Sequence, residues 1–126
     1  MRSAVIVDLT LLAVNAAAVP RSSVSLKSYT VRMLVARRYL VSGRVQGVGF
    51  RFFAHEIAAV EGVSGWVANL PDGRVEIWIE GDDESVERVE RKIRRGPPSA
   101  RVEQVDTRDE TPMSRHTGFE IRHGRS

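Results

Sequence analysis

The feature that most constrains how this chain can fold is a glycine-rich segment, Gly43 to Arg51, with the sequence Gly-Arg-Val-Gln-Gly-Val-Gly-Phe-Arg. It follows an apolar run at 39–41 and precedes a segment, 52–61, in which apolar residues recur with helical spacing. This pattern predicts a strand, a tight loop and the start of a helix. Because glycine tolerates positive φ angles, such a loop can turn several backbone amides towards one point. The free amides of a helix's first turn favour an anion at the same place, so the segment predicts an anion-binding loop.

Composition is compatible with one small domain and an N-terminal extension. The 126 residues, 42% of them hydrophobic, suffice for a single modest core. The chain has no cysteine, which excludes disulfides, thiolate catalysis and cysteine-bound metals. Residues 1–38 contain six Lys/Arg and one Asp, a net of +5, which leaves −2 for the rest of a chain whose total is +3. The positive charge therefore does not indicate nucleic-acid binding by the folded part.

Residues 1–19 are apolar and rich in alanine, and residues 24–36 show no sustained period, so we interpret 1–36 as an N-terminal extension, a flexible tail or linker, before a domain at 37–126. An over-extended reading frame with its true start at Met33, a strand or helix packed on the domain, and a targeting peptide are the alternatives. Asp8 and Asn15 interrupt the apolar run at the start, which is also too short and polar to span a membrane. We expect a cytoplasmic protein, or an exported one if residues 1–18 act as a signal.

The remainder predicts strands and helices in alternation. The predicted strands are 37–43, 63–69, 74–81, 101–109 and 119–122, and the predicted helices are 52–61 and a second one that begins near Asp82 and ends at Arg95. We expect the strand at 74–81 to be half-buried and the strand at 101–109 to contain a bulge. The order is typical of an α+β, ferredoxin-like βαββαβ sandwich, an antiparallel sheet with two helices on one face, plus a short extra C-terminal strand.

Within the first helix, the spacing places Phe53, Ile57 and Val60 on the buried face, while Glu56 and Glu61 can face water. At the start of the second helix, residues 82–85 offer capping oxygens and early negative charge. The basic residues at 91–95 complement the dipole at its end.

Two segments resemble the signatures of the acylphosphatase family. The segment 43–51 is similar to the first, and residues 65–75, Gly-Trp-Val-Ala-Asn-Leu-Pro-Asp-Gly-Arg-Val, followed by Gly81, are similar to the second. The resemblance covers about residues 37–123 and implies a metal-free hydrolase of acyl phosphates, in which Arg51 binds the phosphate and Asn69 positions the attacking water. Glu61 departs from the pattern, because such proteins often have a large apolar residue there.

The resemblance implies that the catalytic residues are Arg51 and Asn69. The phosphate-binding residues that it implies are Arg44, Val45, Gln46, Gly47, Val48, Gly49, Phe50 and Arg51. No metal ion or cofactor is expected, and the expected partner is a small acyl phosphate, with no nucleic acid, no membrane and a monomeric chain.

The chemistry is consistent with these residue types. An acyl phosphate expels a carboxylate, which is a stable anion near neutral pH, so the leaving group needs no general acid. What the reaction needs is stabilisation of phosphoryl charge and in-line placement of water. The guanidinium of Arg51 can bind two phosphate oxygens, and a neutral amide such as that of Asn69 can orient water without repelling the substrate.

Several alternatives remain open at this point. Taken alone, a glycine-rich loop is more often a simple connection, and Asn69 before a turn is more often a turn-former. The loop is neither a Walker loop nor the full dinucleotide fingerprint, whose third glycine would stand at Phe52. A non-enzymatic anion- or RNA-binding module and a carbamoyl phosphate-specific domain of a larger assembly are the competing functions. The three histidines, His55, His116 and His123, lack metal-ligand spacing and are interpreted as exposed.

Overall fold

The computed structural model describes residues 33–114 and 117–123, so most of the predicted extension and His116 lie outside the described residues. The elements are β1 (Leu34–Arg44), α1 (Phe50–Glu61), β2 (Ser64–Asn69), β3 (Val75–Asp82), α2 (Asp83–Arg95), β4 (Arg101–Glu110) and β5 (Phe119–Arg122). The strands form one sheet in the order β4-β1-β3-β2-β5. Neighbouring strands are antiparallel, except that β5 runs parallel to β2. The predicted ferredoxin-like fold with an extra C-terminal strand is confirmed.

Both helices end at a glycine, as the sequence predicts. The amide of Gly62 donates to the carbonyl of Ala59 (3.3 Å) after α1, and that of Gly96 donates to Lys92 (2.9 Å) after α2. At the start of α2 the carboxylate of Asp82 accepts a hydrogen bond from the amide of Ser85 (2.9 Å), which confirms the predicted cap. Neither helix within the described ranges is long and apolar enough to cross a membrane.

The buried face of α1 differs from the predicted one. Val60 is 76% exposed, so its predicted place in the core is wrong, and Phe53 is only half-buried. The helix begins at Phe50, two residues earlier than predicted, and its buried residues are Phe50, Ala54, Ile57 and Ala58. Two of these are alanines, which contribute little to an apolar pattern but allow the helix to lie close to the sheet. The face of α1 that packs into the core is therefore the one that contains Phe50.

Strand β3 is buried on both faces, so the prediction that it is half-buried is wrong. Its polar face has relative exposures of only 1% at Glu76 and 5% at Glu80. Glu76 forms an ion pair with Arg38 of β1, and Glu80 accepts hydrogen bonds from the amides of Met113 and Ser114, both at 2.9 Å. The central position of β3 in the sheet brings these distant partners to its carboxylates, which satisfies them without solvent.

The predicted bulge in β4 is confirmed. Ser42 of β1 lies opposite Gln104, whereas the next residue, Gly43, lies opposite Val102, so that Glu103 is the additional residue. The bulge sits where β1 passes into the glycine-rich loop. It therefore lies beside the candidate site.

Candidate active site

The glycine-rich loop connects β1 to α1 and bends at two glycines with positive φ angles. Gly47 has φ 74° and Gly49 has φ 80°, a region that residues with a side chain rarely adopt. A Cβ atom built on either glycine would meet no atom within 4 Å, so the need for glycine is conformational and not steric. These two bends turn the chain from the sheet into the first turn of α1.

The loop presents backbone amides with no carbonyl partner. The amide of Phe53 donates to the carbonyl of Gly49 (2.9 Å) and opens the hydrogen-bond pattern of α1. In the described part of the chain, the amides of residues 46–52 donate to no backbone carbonyl. Such a run of free amides at a helix start, together with the helix dipole, favours a bound anion.

Arg51 and Asn69 line the same depression, which has a volume of about 290 Å³. Arg51 lies in the first turn of α1 and Asn69 is the last residue of β2. The depression is lined by Val45, Gly47, Gly49, Phe50, Arg51, Phe52, Asn69, Ile121 and His123. Arg51 and Asn69 are the two residues that the resemblance predicts to be catalytic, and they are 18 positions apart in the sequence. The fold brings both to one concave surface.

Not every residue of the predicted phosphate-binding set lines this depression. Arg44 is exposed at the end of β1, opposite Arg101 of β4. The side chain of Gln46 points to the turn after β2, and the carbonyl of Val48 accepts a hydrogen bond from the hydroxyl of Ser99 (2.9 Å). Because the side chain of Gln46 is bonded to that turn and the side chain of Val48 is apolar, a contribution of these two residues to anion binding would come from their backbone amides.

The guanidinium of Arg51 is held by the end of β5. Its Nη1 atom donates to the carbonyl of Arg122 at 3.3 Å. Arg122 in turn lies over the ring of Trp66 of β2, with 4.5 Å from Cζ to the ring centroid, and pairs with Glu120 (3.1 Å). The extra C-terminal strand thus supports the side chain at the entrance of the depression.

Sequence reasoning missed three residues that line the depression, Phe52, Ile121 and His123. Two of them reach it because β5 pairs in parallel with β2, a contact between distant segments that no local pattern reveals.

His123 is exposed, as interpreted, but His55 is half-buried and packs edge-on against Phe119, with ring centroids 6.2 Å apart. Across the described residues, no group of three or more histidine, aspartate or glutamate side chains could hold a metal ion.

The fold and the depression define a small ferredoxin-like protein in which a loop with unpartnered backbone amides joins the first strand to the first helix. Residues 37–121, more than half of the chain, match the acylphosphatase family model. The chain therefore belongs to the acylphosphatase family, and it is an enzyme of that class.

Individual relatives agree with this assignment. An acylphosphatase of Rubrobacter xylanophilus is 52% identical over 85 residues, which cover 68% of this chain and 77% of that protein. An acylphosphatase of Syntrophobacter fumaroxidans is 47% identical over 85 residues, covering 68% of this chain and 88% of that protein. The crystal structure of an acylphosphatase from Bacillus subtilis is similar with a TM-score of 0.67 and 36% identity, covering 69% of this chain and 97% of that one.

Proposed function

We propose that the depression between the glycine-rich loop and the end of β2 is where this enzyme hydrolyses acyl phosphates to a carboxylate and inorganic phosphate, without a metal ion. The observation that carries the proposal is that Arg51, Gly47, Gly49 and Asn69 all line one depression. A cationic fork, a set of backbone donors and a neutral amide thus surround a space large enough for a phosphoryl group.

The phosphoryl group is held by the backbone amides of the loop and by the guanidinium of Arg51. In the loose transition state of phosphoryl transfer, negative charge spreads over the three equatorial oxygens. Donors that are already oriented stabilise this charge without reorganisation. Arg51 is suited to this role because its charge faces a neutral carbonyl, that of Arg122, at 3.3 Å.

The attacking water is positioned by the side-chain amide of Asn69. Water attacks phosphorus in line with the bond to the acyl oxygen, this bond breaks, and its electron pair leaves with the carboxylate. The proton lost by water passes to the phosphate formed or to solvent. Because a carboxylate leaves readily, the site needs no general acid, and a neutral amide suffices to orient the nucleophile.

The test is hydrolysis of benzoyl phosphate by the purified protein in excess chelator, compared with a phosphate monoester. We expect turnover of the acyl phosphate that is unchanged by chelation and little cleavage of the monoester. Dependence on added metal, or faster cleavage of the monoester, would contradict the mechanism. A folded protein that binds phosphate without turnover would favour the non-enzymatic alternative.

The protein is further proposed to act as a cytoplasmic monomer on small substrates, without a nucleic-acid partner. The support is that Arg51, Asn69 and the loop glycines of a single chain line one depression, and that Asp8 and Asn15 interrupt the apolar run at the start. Light scattering behind size exclusion and fractionation of cells test these points. A dimer at assay concentration, or recovery outside the cytoplasm, would contradict them.

A further inference from the structure

The side chain of Gln46 joins the glycine-rich loop to the turn that follows Asn69. Its Nε2 atom donates to the carbonyl of Leu70 at 2.8 Å and to the carbonyl of Arg74 at 2.9 Å. Both bonds lie within normal hydrogen-bond distance, and the residue is half-buried. One amide group thus uses both of its protons to hold the two ends of a single turn.

The same two carbonyls also close the turn itself. The amide of Leu70 donates to the carbonyl of Arg74 (2.8 Å), and the amide of Gly73 donates to the carbonyl of Leu70 (3.1 Å). Each carbonyl therefore accepts one bond from within the turn and one from Gln46. The turn is a compact unit, and Gln46 attaches that unit to the loop.

This attachment links the two sides of the depression, which are the glycine-rich loop and the end of β2 that carries Asn69. Val45 and Gly47, on either side of Gln46, line the depression, and Asn69 directly precedes Leu70. A single peptide unit, about 3.8 Å between Cα atoms, separates the carbonyl that Gln46 holds from the proposed water-positioning residue. The bond thus sets the distance between the phosphate-binding amides and Asn69.

We propose that Gln46 is a positioning residue, which acts through Asn69 to keep the attacking water aligned with the phosphorus atom and so raises the rate of hydrolysis. The proposal rests on the function proposed above. Because a misplacement of about 1 Å can cost about 100-fold in rate, loss of the bond lowers kcat. Phosphate binding, which depends on the loop and Arg51, changes little.

The test compares Gln46→Met with the wild-type enzyme, since methionine keeps the length and volume of the side chain and removes both donors. We expect kcat for benzoyl phosphate to fall about 10- to 100-fold, with the inhibition constant of inorganic phosphate within about threefold of wild type. Gln104→Met is the matched control, because Gln104 bonds only Asp106 of its own strand (2.8 Å) among the described residues. We expect this control to retain wild-type kcat.

A double-mutant cycle with Asn69→Ala shows whether Gln46 acts through Asn69. If it does, Gln46→Met lowers kcat further by less than about threefold in the Asn69→Ala background. An equal, multiplicative loss in both backgrounds, or phosphate binding weakened as much as kcat, would overturn the proposal. So would a Gln46→Met enzyme with wild-type kcat.

If the proposed function itself were wrong, the results would differ from these. The wild-type enzyme would be inactive towards benzoyl phosphate, or the Asn69→Ala enzyme would retain the wild-type kcat. Urea denaturation shows whether each variant is folded under assay conditions. If Gln46→Met does not fold, Gln46→Asn replaces it in the cycle, because it keeps the amide but is one methylene too short to reach both carbonyls. The same fall in kcat and the same loss of effect beside Asn69→Ala are expected.

Discussion

Arg51 differs from several other arginines of the domain in what its guanidinium contacts. Arg37, Arg38 and Arg88 each form an ion pair with a glutamate. Within the ranges that the structure describes, Arg51 has no carboxylate partner and donates to the carbonyl of Arg122. A carboxylate beside Arg51 would compete with a phosphate for the same fork, whereas a carbonyl orients the group and leaves its charge available.

Substitutions of Arg51 and of Asn69 should therefore have different effects, the first on phosphate binding as well as turnover and the second on turnover alone. We expect Arg51→Ala to lower kcat/KM by about 100- to 1000-fold and to weaken inhibition by inorganic phosphate, because it removes a preorganised donor to the phosphoryl oxygens. Asn69→Ala is expected to lower kcat by a similar factor while phosphate inhibition stays within about twofold of wild type. Steady-state kinetics with phosphate as inhibitor measure both. An Asn69→Ala enzyme with nearly wild-type kcat would contradict the water-positioning role.

The sequence predicted the glycine-rich loop well because its signals are local. Gly47 and Gly49 adopt the positive φ angles that the pattern requires, and Asn69 ends its strand as predicted. The sequence could not predict which residues of distant segments lie next to the loop. His123 lines the depression only because β5 pairs with β2, and Gln46 holds a turn 24 residues away.

The same distinction applies at the level of elements. Helix and strand order followed from periodicity and glycine positions, whereas the buried face of α1 did not, because Ala54 and Ala58 are too small to mark it. In β3, alternation of Glu76 and Glu80 with apolar residues predicted a water-facing side. Their partners, Arg38 and the backbone at 113–114, are set by the tertiary fold, which local sequence does not encode.

The two helices are joined at a position where the family resemblance predicted an apolar residue. The carboxylate of Glu61, at the end of α1, accepts a hydrogen bond from Nε of Arg88 (2.8 Å) and lies 3.6 Å from Nζ of Lys92, both on α2. Its side chain is only 11% exposed, so the expectation that it faces water is wrong. The hydrogen bond from Arg88 lowers the pKa of Glu61 against the opposing effect of burial, with further attraction to Arg88 and Lys92.

We expect Glu61→Gln to lower the urea midpoint near pH 7 by about 0.2–0.5 M, since Arg88 and Lys92 are themselves 44% and 40% exposed and ion pairs with exposed partners contribute little. A carboxyl whose pKa is depressed by folding stabilises the native state above its unfolded pKa of about 4.3, and this is lost as pH falls through the folded pKa. The difference from wild type should therefore shrink below about pH 4. Glu56→Gln on the same helix is the control, because Glu56 is exposed and has no ion pair among the described residues. A difference that persists undiminished in acid would contradict this account.

At the level of the whole molecule, the site lies at one end of three strands that run in the same direction. β1 and β2 are both antiparallel to β3, which lies between them, and β5 is parallel to β2. Their C-terminal ends therefore meet on one edge of the sheet. The loop after β1, Asn69 at the end of β2 and His123 just after β5 are brought together there.

Among the residues that the structure describes, those lining the depression all fall within 45–123, and the family match covers 37–121. Residues 1–32 contain four Lys/Arg and one Asp, so their net charge is +3, equal to that of the whole chain. A protein that begins at Met33 would have a net charge of zero by the same count. The salt dependence of kcat/KM in this shorter protein and in the full chain can therefore distinguish two effects of residues 1–32. One is electrostatic attraction of the substrate, and the other is a contribution to the chemical step.

We expect the protein that begins at Met33 to retain the kcat of the full chain within about threefold, because it keeps every group proposed to bind phosphate or to place water. At about 0.15 M salt the Debye length is about 8 Å, so charges outside the depression have little effect on kcat/KM. At about 0.01 M salt the full chain should have the higher kcat/KM, since its extra positive charge attracts an anionic substrate. The assay is benzoyl phosphate hydrolysis at both salt concentrations, with urea denaturation to compare stability. A fall in kcat of more than about tenfold in a folded protein would show that residues 1–32 contribute to the chemistry, and would move the boundary of the catalytic domain.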